Sequence, residues 1–317
     1  MPSRQDAVAV AVDVGGTGIK CGLVDRDGQI RHNERRPTGR ERGPDAVVET
    51  IAAAARDLVN TAEATGLTPV ACGVVVPAVV DEVDGIAEWS ANLGLRQVPL
   101  RQIVADELKL PTALGHDVRA AALAEARLGA GQATQRMFFV AIGTGIAGGF
   151  VVDGRVDPGA HGASGEIGHI VVGTGESAPL CGCGARGCVE AYASAAAITR
   201  AYRAIRPDDD VDAAGIAQRV AAGEPEATAV WTDAVDALAA GLLTSVALLD
   251  PETIVLGGGL AEAGQTLLGP LAAAMLARRT FHQLPPLTQA KLGDRAGFLG
   301  AALLALDLVD RTEGAPA

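Results

Sequence analysis

Two stretches of this chain, 127 residues apart, repeat one short plan. In the first, the β-branched run 7–14 meets Gly15-Gly16, and a second apolar run over 19–24 leads to the turn Asp25-Arg26-Asp27-Gly28. In the second, residues 138–142 enter Gly143-Thr144-Gly145-Ile146, and residues 148–152 lead to Asp153-Gly154. Placing Gly16-Thr17-Gly18-Ile19 on Gly143-Thr144-Gly145-Ile146 sets the offset, and one extra residue in the return strand brings Asp25 onto Asp153. Each stretch reads as a strand pair turning on glycine. The period is far longer than the ~20–50 residues of a solenoid repeat, so it predicts two related lobes; a chance likeness of two glycine-rich hairpins is the alternative.

The intervening pattern agrees with two lobes. Residues 45–63 are alanine-rich with apolar positions at helical spacing, and Pro44 suits the first turn. Residues 70–76 read as an inner strand stopped by Pro77, 111–114 as a short strand, and 119–129 as a helix closed by glycine. In the second half, 191–205 and 227–249 read as helices, 253–256 as a strand, Gly257-Gly258-Gly259 as a loop opening the next helix, and 296–308 as a last apolar helix. Strands alternating with helices predict an α/β protein of two lobes. The expected division is a smaller lobe over 1–120, completed by 298–317, and a larger one over 121–297.

With 317 residues, each lobe can bury its own core, and nine aromatics among many Ala, Val and Leu make that core aliphatic. The net charge of −12 repels a phosphate backbone and an anionic bilayer, and the arginines of 31–42 are interspersed with Glu34 and Glu41. Nucleic acid and membrane are therefore not expected as partners. The first strand follows about seven residues with no leader pattern and no apolar run nearing 18 residues, which gives the expectation of a cytoplasmic protein.

Three of the five cysteines fall within Cys181-Gly182-Cys183-Gly184-Ala185-Arg186-Gly187-Cys188, twelve residues after Gly165-Glu166-Ile167-Gly168-His169. Thiolates and an imidazole at this density suit a closed tetrahedral zinc site, with His169 as fourth ligand to Cys181, Cys183 and Cys188. Four protein ligands leave no open position for water, so such a zinc would be structural. The plainer reading is a glycine-rich surface turn with unrelated thiols. A disulfide between neighbours this close would be strained.

The run from Asp13 through Gly15, Gly16, Thr17 and Gly18 to Lys20 ends a strand in residues small enough for backbone N–H groups to approach an oxyanion. It is not a Walker A loop, since it lacks the Gly-Lys-Ser/Thr ending and a strand follows it. Alone it is equally a tight hairpin; with Thr144 and Gly145 it suits the two ends of a polyphosphate. Gly258 and Gly259, ahead of a helix, permit close approach of a nucleoside, or simply make a turn. Asp117 in Gly115-His116-Asp117 stands between a strand and a helix, placed either as a helix cap or as a base for a hydroxyl. Glu166 and His169, three apart, and Glu190, two past the last cysteine, supply polar groups of the kind that bind sugar hydroxyls.

These motifs in this order, from about Val8 to Leu304, resemble the ROK family of bacterial sugar kinases and repressors, and its glucokinase-like actinobacterial members most closely. The resemblance implies an actin-like (hexokinase/ribonuclease-H-like) fold with a nucleotide cleft between two lobes. It also implies ATP, magnesium and a structural zinc, with transfer of the γ-phosphoryl of ATP to a hexose 6-hydroxyl, glucose first. Asp117 would be the general base and Asp13 would orient magnesium, partly through water. Asn92, Asp117, Glu166, His169 and Glu190 would hold the sugar, His169 also keeping one ring nitrogen on zinc. Gly15, Gly16, Thr17, Lys20, Thr144, Gly145, Gly258 and Gly259 would serve the nucleotide. A homodimer or homotetramer is implied as well. N-acetylmannosamine, fructose and mannose are alternative acceptors, and polyphosphate an alternative donor. A sugar-sensing repressor would carry a helix-turn-helix ahead of the first strand, where only about seven residues stand here; a non-catalytic sugar-binding protein is the other rival. One departure from the family pattern is His116-Asp117-Val118-Arg119 where many members have Asn-Asp-Ala-Asn. His116 either replaces the amide's hydrogen bond or packs under the pocket, and Arg119 is expected as a structural ion-pair partner.

Overall fold

The computed structural model describes residues 6–313. Those residues form two compact units, one of 6–124, 158–163 and 294–313, the other of 125–157 and 164–293.

The first unit is built on β1 (Ala7–Val14), β2 (Gly18–Asp25), β3 (Ile30–Pro37), β4 (Thr68–Val76), a small sheet of β5 (Val79–Asp81), β6 (Ile86–Trp89) and β7 (Arg96–Val98), and β8 (Thr112–His116). Its main sheet has the order β3-β2-β1-β4-β8, the β1–β2–β3 pairings antiparallel and β1–β4–β8 parallel. The sequence Ala-Val-Ala-Val-Ala-Val explains the two faces of β1. Val8, Val10, Val12 and Val14 join a core with Val47, Ile51, Ala54 and Leu58 of helix α1 (Pro44–Ala64). Each fully buried Val, Ile or Leu side chain of this seam contributes about 1.5–3 kcal/mol. The opposite face is small: Ala11 lies beside Gly73 of β4, against the last helix, Ala296–Glu313. Helix α2 (Leu100–Leu108) precedes β8, and α3 (Asp117–Leu128) begins directly after it.

The second unit carries β9 (Arg136–Ile142), β10 (Ile146–Val152), β11 (Arg155–Val156), β12 (Thr253–Gly257) and β13 (Leu287–Gln289) in the order β11-β10-β9-β12-β13. This is the first sheet's order strand for strand, with the same antiparallel and parallel pairings. The 127-residue repeat is thus a repeat of whole sheets. Helices α4 (Val189–Ala193), α5 (Ala195–Ile205), α6 (Ala213–Ala221), α7 (Pro225–Leu249) and α8 (Gln265–Arg278) complete it. By length and hydropathy α7 alone among the described helices could cross a bilayer, but Val230, Trp231, Leu238, Leu242 and Val246 pack it into the unit's core.

Two local expectations are corrected. The helix over 191–205 is two helices, because Ser194 is extended and its Oγ accepts the Ala197 N–H at 3.1 Å, capping a fresh start. Gly257-Gly258-Gly259 does not open a helix directly: Gly257 ends β12, a 3-10 segment Gly259–Ala263 follows, and α8 begins at Gln265.

Candidate active site

In the first unit the turn after β1 is held from outside. Gly15 N–H donates to Gly18 O at 2.8 Å, while buried Thr38 donates its hydroxyl to Gly15 O at 2.8 Å and its N–H to Thr17 O at 3.2 Å. Thr38 fixes the loop conformation that presents Gly15, Gly16 and Thr17. Asn92, exposed on a turn, has its Cβ within 3.9 Å of where a β-carbon on Gly16 would stand. Asp13 and Lys20 are cross-strand partners, and Lys20 Nζ donates to Asp294 O at 2.8 Å. Burial, then the nearby charge of Asp117, push the half-buried Asp13 carboxyl up to about 7 against the pull of Lys20. A carboxylate crowded by another carboxylate and short of water favours a cation between them.

Asp117 is the first residue of α3, and its Oδ1 accepts the Val118 N–H at 2.8 Å. Buried His116 presents Nδ1 to the same N–H at 3.2 Å and lies 3.3 Å from Asp117 Oδ1. The imidazole therefore packs under the helix start and shares the capping work. Arg119, only 2% exposed, pairs with Glu82 at 2.9 Å and donates to Gly162 O at 2.8 Å, as expected of a structural ion pair.

In the second unit the turn Gly143–Gly145 is clasped by the α4–α5 corner. Ala195 N–H donates to Gly143 O at 2.8 Å, and Glu190 Oε2 accepts the Ile146 N–H at 2.8 Å. A β-carbon on Gly145 would stand 2.7 Å from that same oxygen, so a side chain here would push the Glu190 carboxylate aside. Beside this turn lies a cavity of about 720 Å³ lined by Thr144, Thr199, Arg200, Gly259 and Leu260 among others. That volume suits a ligand of nucleotide size. Gly258 takes a φ of 80° and passes so close to Ile142 that a β-carbon would lie 2.4 Å from its carbonyl oxygen.

Glu166 and His169 are exposed on the 3-10 turn Ile167–His169. His169 turns Nδ1 to Cys181 Sγ at 3.6 Å and Nε2 toward Glu166 Oε2 at 3.8 Å. The ligand atoms of His169, Cys181, Cys183 and Cys188 all lie within 4.8 Å of one another, and Cys183 Sγ stands 3.8 Å from Cys188 Sγ. Zinc–sulfur bonds of about 2.3 Å span tetrahedral edges of roughly 3.7 Å, so the donor set and its spacing fit zinc. Gly187, at φ 77° and with no room for a β-carbon against Gly173 O, closes the loop that gathers them. Burial pushes the Cys188 thiol up to about 12 and raises Cys181, while the Ala185 N–H lowers Cys183; a cation at the centre would hold all three as thiolates.

Asp13, Gly15, Gly16, Thr17, Lys20, Asn92 and Asp117 thus fall in the first unit, and Thr144, Gly145, Glu166, His169, Glu190, Gly258, Gly259 and the three cysteines in the second. Sequence reasoning missed Thr38, which lies 20 residues beyond Gly18 on another strand's end, and missed Arg200 and Thr199, whose helix carries no motif.

The ROK family model matches residues 9–308. The glucokinase of Thermotoga maritima is 32% identical over 309 residues, covering 92% of this chain and 95% of that protein. The N-acetylmannosamine kinase of Citrobacter koseri is 33% identical, covering 93% of this chain and 98% of that protein. Among solved structures, the ROK family glucokinase of Streptomyces griseus in complex with glucose and AMPPNP superposes with a TM-score of 0.80 at 29% identity, covering 95% and 99% of the two chains.

Proposed function

We propose, from the premise that this chain belongs to the ROK family and has its actin-like α/β fold, that it is an ATP-dependent hexose kinase with glucose as its first acceptor. The observation that carries the reading is Glu190. Its carboxylate holds the Gly143–Gly145 turn beside the nucleotide-sized cavity, while its backbone lies two residues past Cys188 of the metal cluster. A donor-side turn and an acceptor-side loop locked to one carboxylate suit a reaction whose main demand is alignment.

In this reading Thr144, Gly145, Gly258 and Gly259 bind the nucleotide, and Gly15, Gly16, Thr17 and Lys20 face its phosphates. Asn92, Asp117, Glu166, His169 and Glu190 hold the sugar, and Asp117 also accepts the proton of the attacking hydroxyl. His169, Cys181, Cys183 and Cys188 would hold a structural zinc that keeps Glu166 and Glu190 in place. Asp13 would orient magnesium, which when bound neutralises phosphate charge. Homodimer or homotetramer assembly and a cytoplasmic location belong to the same reading, and light scattering reads the former.

The test is a hexose panel with ATP and magnesium, following ADP and sugar phosphate together. Glucose should give the highest kcat/KM, with the phosphoryl on the 6-hydroxyl. Turnover on no hexose overturns the kinase reading. The likeness to an N-acetylmannosamine kinase supports a second acceptor, and a higher kcat/KM for that sugar would replace glucose.

A further inference from the structure

The wall behind Asp13 is made by the first turn of the last helix. A β-carbon on Gly297 would stand 2.6 Å from Oδ2, 2.8 Å from Cγ and 3.1 Å from Oδ1 of Asp13. The whole carboxylate rests against one α-carbon. The helix has no room to retreat into the sheet: a β-carbon on Gly73 would fall 1.9 Å from Ala301 O, and one on Gly115 would fall 2.7 Å from Leu304 Cδ1. Phe298, Leu299, Ala301 and Ala302 are buried, so moving the helix outward would open a cavity under four side chains. Just before this turn, the Asp294 carbonyl takes the Lys20 ammonium, the cross-strand partner of Asp13. Both members of the charged pair at the β1–β2 turn are thus in contact with residues 294–297.

We propose that Gly297 is a positioning residue of the phosphoryl-transfer centre: its missing side chain sets where the Asp13 carboxylate stands, and so where Asp13 would orient magnesium. The effect on turnover rests on the kinase reading, whereas the effect on stability rests on packing alone. A methyl at 297 needs roughly 3.5 Å to its neighbours. With the helix fixed, the carboxylate must give way by something under about 1 Å, and misplacement on that scale in an aligned centre costs roughly 10²-fold in rate.

A double-mutant cycle tests this with wild type, Gly297→Ala, Asp13→Ala and the double variant, melted in magnesium-free buffer and assayed with ATP and glucose. Gly297→Ala should lower kcat about 10- to 100-fold, raise the magnesium concentration giving half-maximal rate, and leave the glucose KM within about twofold. It should also lower the melting temperature, and that loss should vanish in the Asp13→Ala background, where the methyl enters space the carboxylate has left. An equal loss of melting temperature in both backgrounds overturns the inference, as does wild-type kcat in Gly297→Ala. If Gly297→Ala alone does not fold, a folded double variant supports the proposal and an unfolded one overturns it. A wild type without turnover on any hexose would defeat the kinase reading, and the melting cycle would still decide the packing.

Discussion

The two glycine hairpins share a sheet order and differ in what they present. Beside the closing pair Val14 and Ile19 of the first stands Asp13 opposite Lys20; beside the closing pair Ile142 and Ile146 of the second stands Ala141 opposite Ala147. The first loop has four residues between its closing pair, 15–18, and the second has three, 143–145. The first turn therefore carries charge of both signs on its own strands. The second offers backbone and borrows its carboxylate from Glu190, 44 residues on. A repeated frame supplies N–H groups twice, and the side chains at one register position put a carboxylate beside one copy and none beside the other.

That contrast predicts unequal damage. The largest effect should follow from the charged side: Asp117→Asn, which removes a charge acting on Asp13, should cut kcat about 10²–10⁴-fold while glucose binding by calorimetry stays near wild type. Near-normal turnover would mean that Asp117 only caps α3. On the neutral side, Cys183→Ser should empty the metal cluster and raise the glucose KM more than the ATP KM; one zinc per chain in that variant, by elemental analysis, would contradict the ligand set. Smaller again, Glu190→Ala should cost about 1–3 kcal/mol in urea unfolding, because it strands the N–H of buried Ile146, whereas Glu190→Gln keeps an acceptor and should recover most of it. Equal stability of the two variants would show that water, not Glu190, satisfies that group.

The contrast was only half legible beforehand. Alternating valines announced β1, and the glycines marked both turns, because periodicity and turn chemistry are local signals. The cysteine spacing pointed to a zinc site for the same reason, and the four candidate ligand atoms do gather within 4.8 Å of one another. Strand β3 was not foreseen: it lies at the sheet edge with a half-buried, charged pattern, Arg31, Glu34, Arg35 and Arg36, that hydropathy reads as loop. The break at Ser194 was masked by the alanines on either side. Thr38, Gly297 and the bond from Ile146 to Glu190 depend on approaches between distant segments, which no window of sequence contains.

The finest separation between the hairpins is by pH, without magnesium. Folding raises the Asp13 carboxyl from an ordinary 3.8 to about 7, chiefly by burial and next by Asp117, whereas Ala141 has nothing to titrate. Between those values the folded chain keeps a proton that the unfolded chain has released. At this one group the folded state therefore binds more protons, so the Asp13 contribution to stability falls as pH rises through the window and levels off above it. Asp13→Asn removes this slope. The variant should match wild type near pH 4 and melt higher than wild type at about pH 7.5 in magnesium-free buffer. A gap between the two proteins that stays constant with pH would show that Asp13 is well solvated or paired. Adding magnesium should narrow the gap from the wild-type side, since a cation that binds only the folded carboxylate stabilises that state by mass action. The charge that the second hairpin lacks would then be a cost of folding that ligand binding offsets.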